Sequence, residues 1–542
     1  MKQYKNIGLL ILGFLFLASC NKQILDKQAN PNNPGSVPPS LILGTILTDI
    51  SGSGDGSLGG INSWDDVHAW NQYHCQNYDY YGSNIYTWTN GSFDPYLVLK
   101  NVMKMENEAS IRGQAAVNPY ESVGRFVKAY YYYNLTSLFG DVPQEQALQA
   151  PQISSPGYST QQKVFAYILS QLDTANTHLS TLKAANDNSL NASQDIYYHG
   201  DLSKWQRLVN SFKLRVLVAL SKKASDAALN VPAQFAAIFN DPLKYPIFSS
   251  ETDDLAFVYN PGGTNTFSTY PFNPSNYGSI AGRYNMASTY VGALTNLKDP
   301  RVFKTCEPAM ALLGNNTDPC KFNYFLGAST GEPLSTMYPN ANAGKYSYIN
   351  RNRYYSNFTG EANVLLGYKE MCFNIAEAIE RGWVAGKTNL DAENWYRNGI
   401  SSSMKFYGID ITKSDFTAYF LPKGANSVTQ VAQYPFSFDF NGYYAQPAVK
   451  LSSTQATAIN QIVLQKYLAC FENSGYEGYY NWRRIGVPAF ESGSGVGNNG
   501  MVPKRWAYPV SEQAQNKSNW SAALAAQQFS ADDLNQSMWL IK

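Results

Sequence analysis

The chain has 542 residues, of which 44% are hydrophobic, 14% aromatic and only 15% charged, so there is apolar material for a large core and too little charge for intrinsic disorder. Forty-one Lys and Arg stand against forty Asp and Glu, a balance without the basic footprint that nucleic acid requires or an acidic tail for a basic partner. Tyr, Phe and Trp number 40, 27 and 10 and take part of the surface share that charged residues usually hold.

At the amino terminus Lys2 and Lys5 precede an apolar run from Ile7 to Leu17, the arrangement of a secretion signal, with residues 1–19 expected to be removed. Eleven apolar residues are too few to cross about 30 Å of hydrocarbon as a helix, and no later run reaches the roughly twenty required. Leu17-Ala18-Ser19-Cys20 resembles the lipobox of bacterial lipoproteins, which makes Cys20 the expected lipidation site. Several acyl chains on one Cys, each burying CH₂ groups at about 0.8 kcal/mol apiece, would hold a soluble body on a membrane. Residues 20–40 are polar and Pro-rich and read as a tether. A single domain is expected from 41 to 542.

From Leu41 onward the apolar spacing is mainly helical. Val164, Ile168, Leu172, Ala175 and Leu179 share one face of a helix over 161–182, because residues three and four apart lie on one side. The same spacing places a helix over about 203–222, through Trp205, Leu208, Phe212 and Val216, and another through Tyr368, Met371, Cys372, Ile375 and Ile379. Two more are expected around 395–406 and 459–471. Gly382 is placed as a helix end and Gly399 as a tight packing point. Long Gly-, Asn-, Ser- and Tyr-rich stretches separate the helices at 51–63, 240–280, 310–362, 421–450 and 491–504; loops of that length inside a compact domain tend to be functional. The expected fold is therefore mainly α, a scaffold of helix pairs of tetratricopeptide type with long irregular loops that bind ligand.

Few constellations point to chemistry. Residues 54–59 and 495–500 both match GxGxxG, but neither lies between a strand and a helix, so both read as surface loops. Four histidines, His68, His74, His178 and His199, lack the spacing of a metal site and read as core or solvated side chains. Five cysteines besides Cys20 are scattered without a CxxC; Cys306 and Cys320 could bridge across a loop, whereas Cys372 and Cys470 sit on apolar helical faces and are expected as buried thiols. Asp253-Asp254 lies in no twelve-residue calcium loop. Glu377 and Glu380 are expected to pair with Arg381 or another Arg rather than act on a glycosidic bond. Neither a catalytic residue, a metal nor a cofactor is expected.

The aromatic residues are more informative. Trp64, Trp70, Tyr73, Tyr78, Tyr80, Tyr81, Tyr86 and Trp88 fall close together, interleaved with Asp65, Asp66, Asn71, Asn77 and Asn84. Sugar rings pack their C–H faces on aromatic planes while their hydroxyls bond to Asp, Asn and Arg, so such a segment suits carbohydrate. Peptide side chains can use the same surface, and the rings can equally pack the loop onto the scaffold. The expected ligand residues are Trp64, Asp65, Asp66, Trp70, Tyr80, Tyr81, Asn84 and Trp88, joined by Tyr284 and Tyr346.

Several segments, in order, resemble the SusD/RagB family of outer-membrane nutrient-binding lipoproteins, in particular its SusD-like subgroup. They are Asn30-Pro31-Asn32-Asn33-Pro34, Phe139-Gly140-Asp141-Val142-Pro143, Tyr198-His199-Gly200-Asp201 running into Trp205 and Asn210-Ser211-Phe212-Lys213-Leu214-Arg215, and Asp299-Pro300-Arg301. Further along come Ala376-Glu377-Ala378-Ile379-Glu380-Arg381-Gly382-Trp383, Gln465-Lys466-Tyr467, Asn481-Trp482-Arg483-Arg484-Ile485-Gly486-Val487-Pro488 and Pro503-Lys504-Arg505-Trp506. The resemblance implies a helix-pair body, an oligomeric nutrient as ligand, an oligosaccharide before a peptide, and a SusC-like TonB-dependent transporter as partner, with no enzymatic activity. It also implies that the motif segments are scaffold, with Arg483 and Arg484 as ion-paired structural residues. Asn21-Lys22-Gln23 departs from the acidic run that often follows the lipidated Cys, so surface exposure is implied by the family alone. A surface glycosidase and a purely structural lid are the readings from other classes.

Overall fold

The computed structural model describes residues 36–51, 66–78, 84–85, 91–260, 270–275, 277–425 and 427–542. Cys20, Trp64, Asp65, Tyr80, Tyr81, Trp88 and the loop 54–59 lie outside them.

Thirteen helices of nine residues or more are described: α1 (Pro39–Ser51), α2 (Pro95–Ile111), α3 (Pro119–Phe139), α4 (Gln161–Ala184), α5 (Leu202–Ala219), α6 (Val231–Asn240), α7 (Ser288–Leu297), α8 (Leu334–Asn342), α9 (Tyr368–Glu380), α10 (Asn389–Phe406), α11 (Gln455–Ala469), α12 (Glu477–Ile485) and α13 (Lys517–Ala526). Six short strands, β1 (His74–Gln76), β2 (Leu255–Phe257), β3 (Tyr284–Met286), β4 (Asn363–Leu366), β5 (Asp415–Phe420) and β6 (Ala432–Ser437), form three antiparallel pairs, β1–β3, β2–β4 and β5–β6. Successive helices pack as neighbours, α1 on α2, α2 on α3, α3 on α4 and α4 on α5; α5 then meets α9, which pairs with α10 and α11. This is a mainly α scaffold of stacked helix pairs.

Helix ends follow local chemistry. The Asn118 side chain accepts from Glu121 N (3.0 Å) with Pro119 at the first turn of α3, Asp201 accepts from Ser203 N and Lys204 N at the start of α5, and Thr388 with Asp391 forms a reciprocal box at the start of α10; each satisfies backbone donors that the helix leaves unpaired. Gly382 follows α9 with φ of +74°, the left-handed position that glycine adopts without strain. At Gly399, in α10, a Cβ would lie 2.7 Å from Cζ of Phe373 on α9, so the absent side chain is what lets the two helices approach.

The motif segments converge on buried polar networks. Arg215 donates to Glu370 through Nε (2.7 Å) and Nη2 (2.6 Å), Lys466 Nζ lies 3.7 Å from Glu370 and 3.5 Å from Glu477, and Tyr133 donates to Glu477 (2.8 Å). Arg484 pairs with Glu377 (Nη2–Oε2 2.8 Å), which also accepts from Arg381. Arg301 pairs with Asp299 (2.6 Å), and Tyr443 donates to the same carboxylate (2.6 Å). Burial raises the carboxyls of Glu370 and Glu377, but their neighbouring cations outweigh it, Arg215 and Lys466 for one, Arg484 and Arg381 for the other, and hold each at about 2. In the segment leading into α5, buried Asp195 accepts from Gly200 N (2.8 Å) and Trp205 Nε1 (2.8 Å) and so ties the turn to the helix it precedes.

One possibility left open by the sequence is decided and one expectation needs correction. Cys306 and Cys320 are free thiols: Cys306 is buried with its sulfur 3.5 Å from Thr305 Oγ1, while Cys320 turns toward Tyr434 O (4.0 Å). Arg484 is ion-paired as expected, but Arg483 is not; it donates to the carbonyls of Ser137 (2.6 Å) and Lys504 (2.9 Å). Cys372 and Cys470 are buried, and no helix among the described residues is long and apolar enough to cross a membrane.

Candidate ligand-binding site

Two insertions into the helical stack meet at one place, the segment between α1 and α2 and the segment between α6 and α9. Strand β1 from the first pairs with β3 from the second in the register His74–Met286, Cys75–Asn285, Gln76–Tyr284. The pairing extends on both sides: Ala287 N donates to Tyr73 O (2.9 Å), Ser288 N to Ala328 O (2.8 Å) and Met286 N to Ser347 O (2.9 Å). Beneath it a small apolar cluster of Cys75, Ala287, Ala328 and Met337 is covered by Tyr346. The loops are thus anchored by backbone ladders and a satellite core.

Beside this ladder lies a cavity of about 320 Å³ lined by Asn77, Tyr78, Leu334, Ser335 and Tyr338. The rings of Tyr78 and Tyr338 lie 5.8 Å apart at 40°, and the Arg283 guanidinium sits 5.0 Å over the Tyr78 ring. Tyr338 is 43% exposed, a large ring presented to solvent rather than packed inward. Asn77 Nδ2 donates to Asn285 Oδ1 (3.0 Å) and to Gly282 O (3.2 Å), which leaves the wall ordered. The exposed Tyr338 ring, backed by Tyr78 and with the Asn77 amide and the Ser335 hydroxyl beside it, offers a face on which a ring can stack and groups that can bond to its substituents.

The residues expected from sequence divide here. Tyr284 is half-buried on β3, with its ring edge-on to His74 (5.2 Å) and its hydroxyl 3.5 Å from Gln76 Nε2. Tyr346 donates to Glu332 (2.7 Å) and accepts from Asn340 (3.2 Å); burial first, then the Glu332 carboxylate, pushes its phenol up to about 12, so it stays a donor. Asn84 is a local clamp, accepting from Gln76 N (2.8 Å) and donating to Gln76 O (2.7 Å) as a further strand would. Trp70 belongs to the scaffold: its ring stacks on Tyr476 (5.4 Å) and meets Trp506 edge-on (4.9 Å). Asp66 opens the short helix Asp66–Trp70. Arg283, Leu334, Ser335 and Tyr338 were not singled out by sequence, because nothing local in a long polar loop shows which of its rings will face another segment.

The other expected sites are engaged structurally. His68 and His74 flank buried Glu472 with Nε2 atoms 3.6 and 3.7 Å from its oxygens; burial lowers both imidazoles, His74 to about 4. Among the described residues no group of three or more His, Cys, Asp or Glu could hold a metal ion. Asp253 accepts from Arg207 (2.9 Å) and Ser249 N (2.7 Å), and Asp254 from Tyr368 N (2.6 Å). In the second glycine-rich loop Gly495 N donates to Gly331 O (3.0 Å), so that loop packs on the segment before α8.

The molecule is thus a stack of helix pairs with a cavity built on its loop insertions. The family model described as starch-binding and associating with the outer membrane, SusD-like, matches residues 31–509, and the chain belongs to that family. It is similar to a SusD homologue of Bacteroides fragilis (28% identity, 93% of this chain and 100% of the other, TM-score 0.76) and to a candidate nutrient-binding outer-membrane protein of Bacteroides vulgatus (28%, 93% and 100%, TM-score 0.75). A chitin-binding SusD homologue of Flavobacterium johnsoniae shares the fold at 18% identity (93% and 98% covered, TM-score 0.67). No curated protein matches the sequence.

Proposed function

We propose that this chain is a lipid-anchored outer-membrane protein that captures an oligosaccharide without cleaving it and passes it to a SusC-like TonB-dependent transporter. The observation that carries the reading is the contact of Tyr78 with the exposed Tyr338 in the wall of a 320 Å³ cavity, lined also by Asn77 and Ser335, with Tyr78 lying within the aromatic segment 64–88. Membership of a family described as starch-binding supports carbohydrate as the ligand class, and the order Leu17-Ala18-Ser19-Cys20 supports the anchor.

Residues 21–542 should bind maltoheptaose or chitohexaose saturably in calorimetry and leave it uncut on chromatography. Tyr78→Ala and Tyr338→Ala should each weaken that binding by about 5- to 30-fold, the loss of one stacking face at about 1–2 kcal/mol, with unchanged melting temperature. Unaltered affinity in both variants would remove the cavity from the site, and saturable binding of peptides but no glycan would move the ligand class to peptide. In cells of the native host, Cys20→Ser should shift the full chain from the membrane to the soluble fraction; retention in the membrane would count against the anchor.

A further inference from the structure

A second cleft, of about 350 Å³, opens where the C-terminal turn of α12 meets the segment around Lys504 and the last turns of the chain. Its walls include Lys222, Trp482, Arg483, Arg484, Lys504 and Ser537. Four of these are cations, no carboxylate is among the lining residues, and none belongs to the Tyr78–Tyr338 cavity. Arg484 is matched by Glu377. The other three have no ion-pair partner among the described residues: Lys222 donates to Ile541 O (2.8 Å), and Lys504 is exposed.

Arg483 is the unusual member. Its side chain is only 8% exposed, its guanidinium lies 4.4 Å over Tyr479 and 5.0 Å over Tyr480, and its two terminal nitrogens donate to backbone carbonyls. Its buried Nε has no hydrogen-bond partner among the described residues. Carbonyl dipoles and ring faces only partly offset a full charge removed from water, and the dipole at the end of a helix adds about 0.3–1 kcal/mol. None of these accounts for two unpaired lysines beside it. The crowding is felt nearby: burial first, then Lys222 and Lys542, lowers the Lys223 ammonium.

We propose that this cleft binds a tetrahedral oxyanion, a sulfate or phosphate group, through Arg483 with Lys222 and Lys504. Arg483 suits such an anion because its charge is permanent and its Nε–H is the donor left without a partner among the described residues, and the lysines add point charges at the rim. The cleft is larger than a bare ion, so the anion fits either free or as an ester with part of its carrier, next to the Trp482 ring. The site is independent of the oligosaccharide cavity and stands or falls separately from it.

The test is a titration of residues 21–542, in chloride buffer of low ionic strength, with inorganic sulfate, inorganic phosphate and a sulfated disaccharide, read by calorimetry and tryptophan fluorescence. The expected result is saturable binding at one site that weakens with added salt. Lys222→Gln and Lys504→Gln, both changes at exposed positions, should each reduce affinity about tenfold, the scale of one charge-assisted hydrogen bond, without lowering the melting temperature or altering glycan affinity. Tighter binding of the disaccharide than of sulfate would identify the ester as the natural form, and equal binding the free ion. Absence of saturable binding by all three probes, or full affinity in both lysine variants, would overturn the proposal.

Discussion

Glu377 shows how the charged residues of the recognisable segments act. It is fully buried, pairs with Arg484 and Arg381, and its carboxyl is held at about 2 against an ordinary value of 4.5. A carboxyl depressed in the folded state contributes stability that is complete above about pH 4.5 and is lost as pH falls toward 2. Glu377→Gln is therefore expected to cost about 3–5 kcal/mol at pH 7, because Arg484 is left buried and uncompensated. The gap to the parent in urea denaturation should narrow as pH is lowered from 4.5 to 2; a gap independent of pH would show that the pair does not titrate as described. These residues were legible as motifs, whereas the pairing Glu377–Arg484 was not, since sequence offered several arginines. Arg483 and Arg484 are adjacent in sequence and differ only in what the fold sets against them, a carboxylate for one and carbonyls for the other.

Amphipathic helices could be read directly. The apolar stripe over 161–182 became α4, and those through Trp205 and Met371 became α5 and α9, because a helix with one buried face writes its period into the sequence. Helix α3 gave no such stripe: Tyr130 to Tyr133 are all buried, and a helix packed on every side loses the contrast between faces. The long polar stretches hold short elements that periodicity could not resolve, β6 and the turn Phe440–Tyr444 in one and α8 in another. Pro435 lies within β6 opposite Thr417, whose carbonyl accepts from Lys304 outside the pair, so the proline faces outward, where a missing N–H costs no ladder bond. At the α9–α10 contact, Gly399→Ala should gain about 1 kcal/mol of helix propensity if space were free. Against the buried Phe373 ring we expect instead a net loss of about 1–2 kcal/mol, measured as a lower urea midpoint; a stabilised variant would show that the contact yields.

At the scale of the whole molecule, one apolar core runs from Leu43 in α1 to Ile541 near the end of the chain, and Tyr133 on α3 bonds Glu477 on α12. Residues 41–542 are therefore expected to unfold as one cooperative unit, with calorimetric and van't Hoff enthalpies in agreement; two resolved transitions would divide the domain. By itself the sequence determined the helical class, the positions of α4, α5, α9, α10 and α11, and the family. All of these are carried by composition, by spacings of three and four, or by short segments in order. Only the tertiary structure decided which side chains meet at a cavity. Tyr78 and Tyr338 meet because β1 pairs with β3 and α8 folds back beside them, and Trp70, alike in type to a ligand-stacking ring, is turned onto Tyr476 and Trp506 instead. The physical reason is range: local periodicity records which side of an element is apolar, but a cavity is made by surfaces from distant parts of the chain, and their meeting is set by the packing of the whole core.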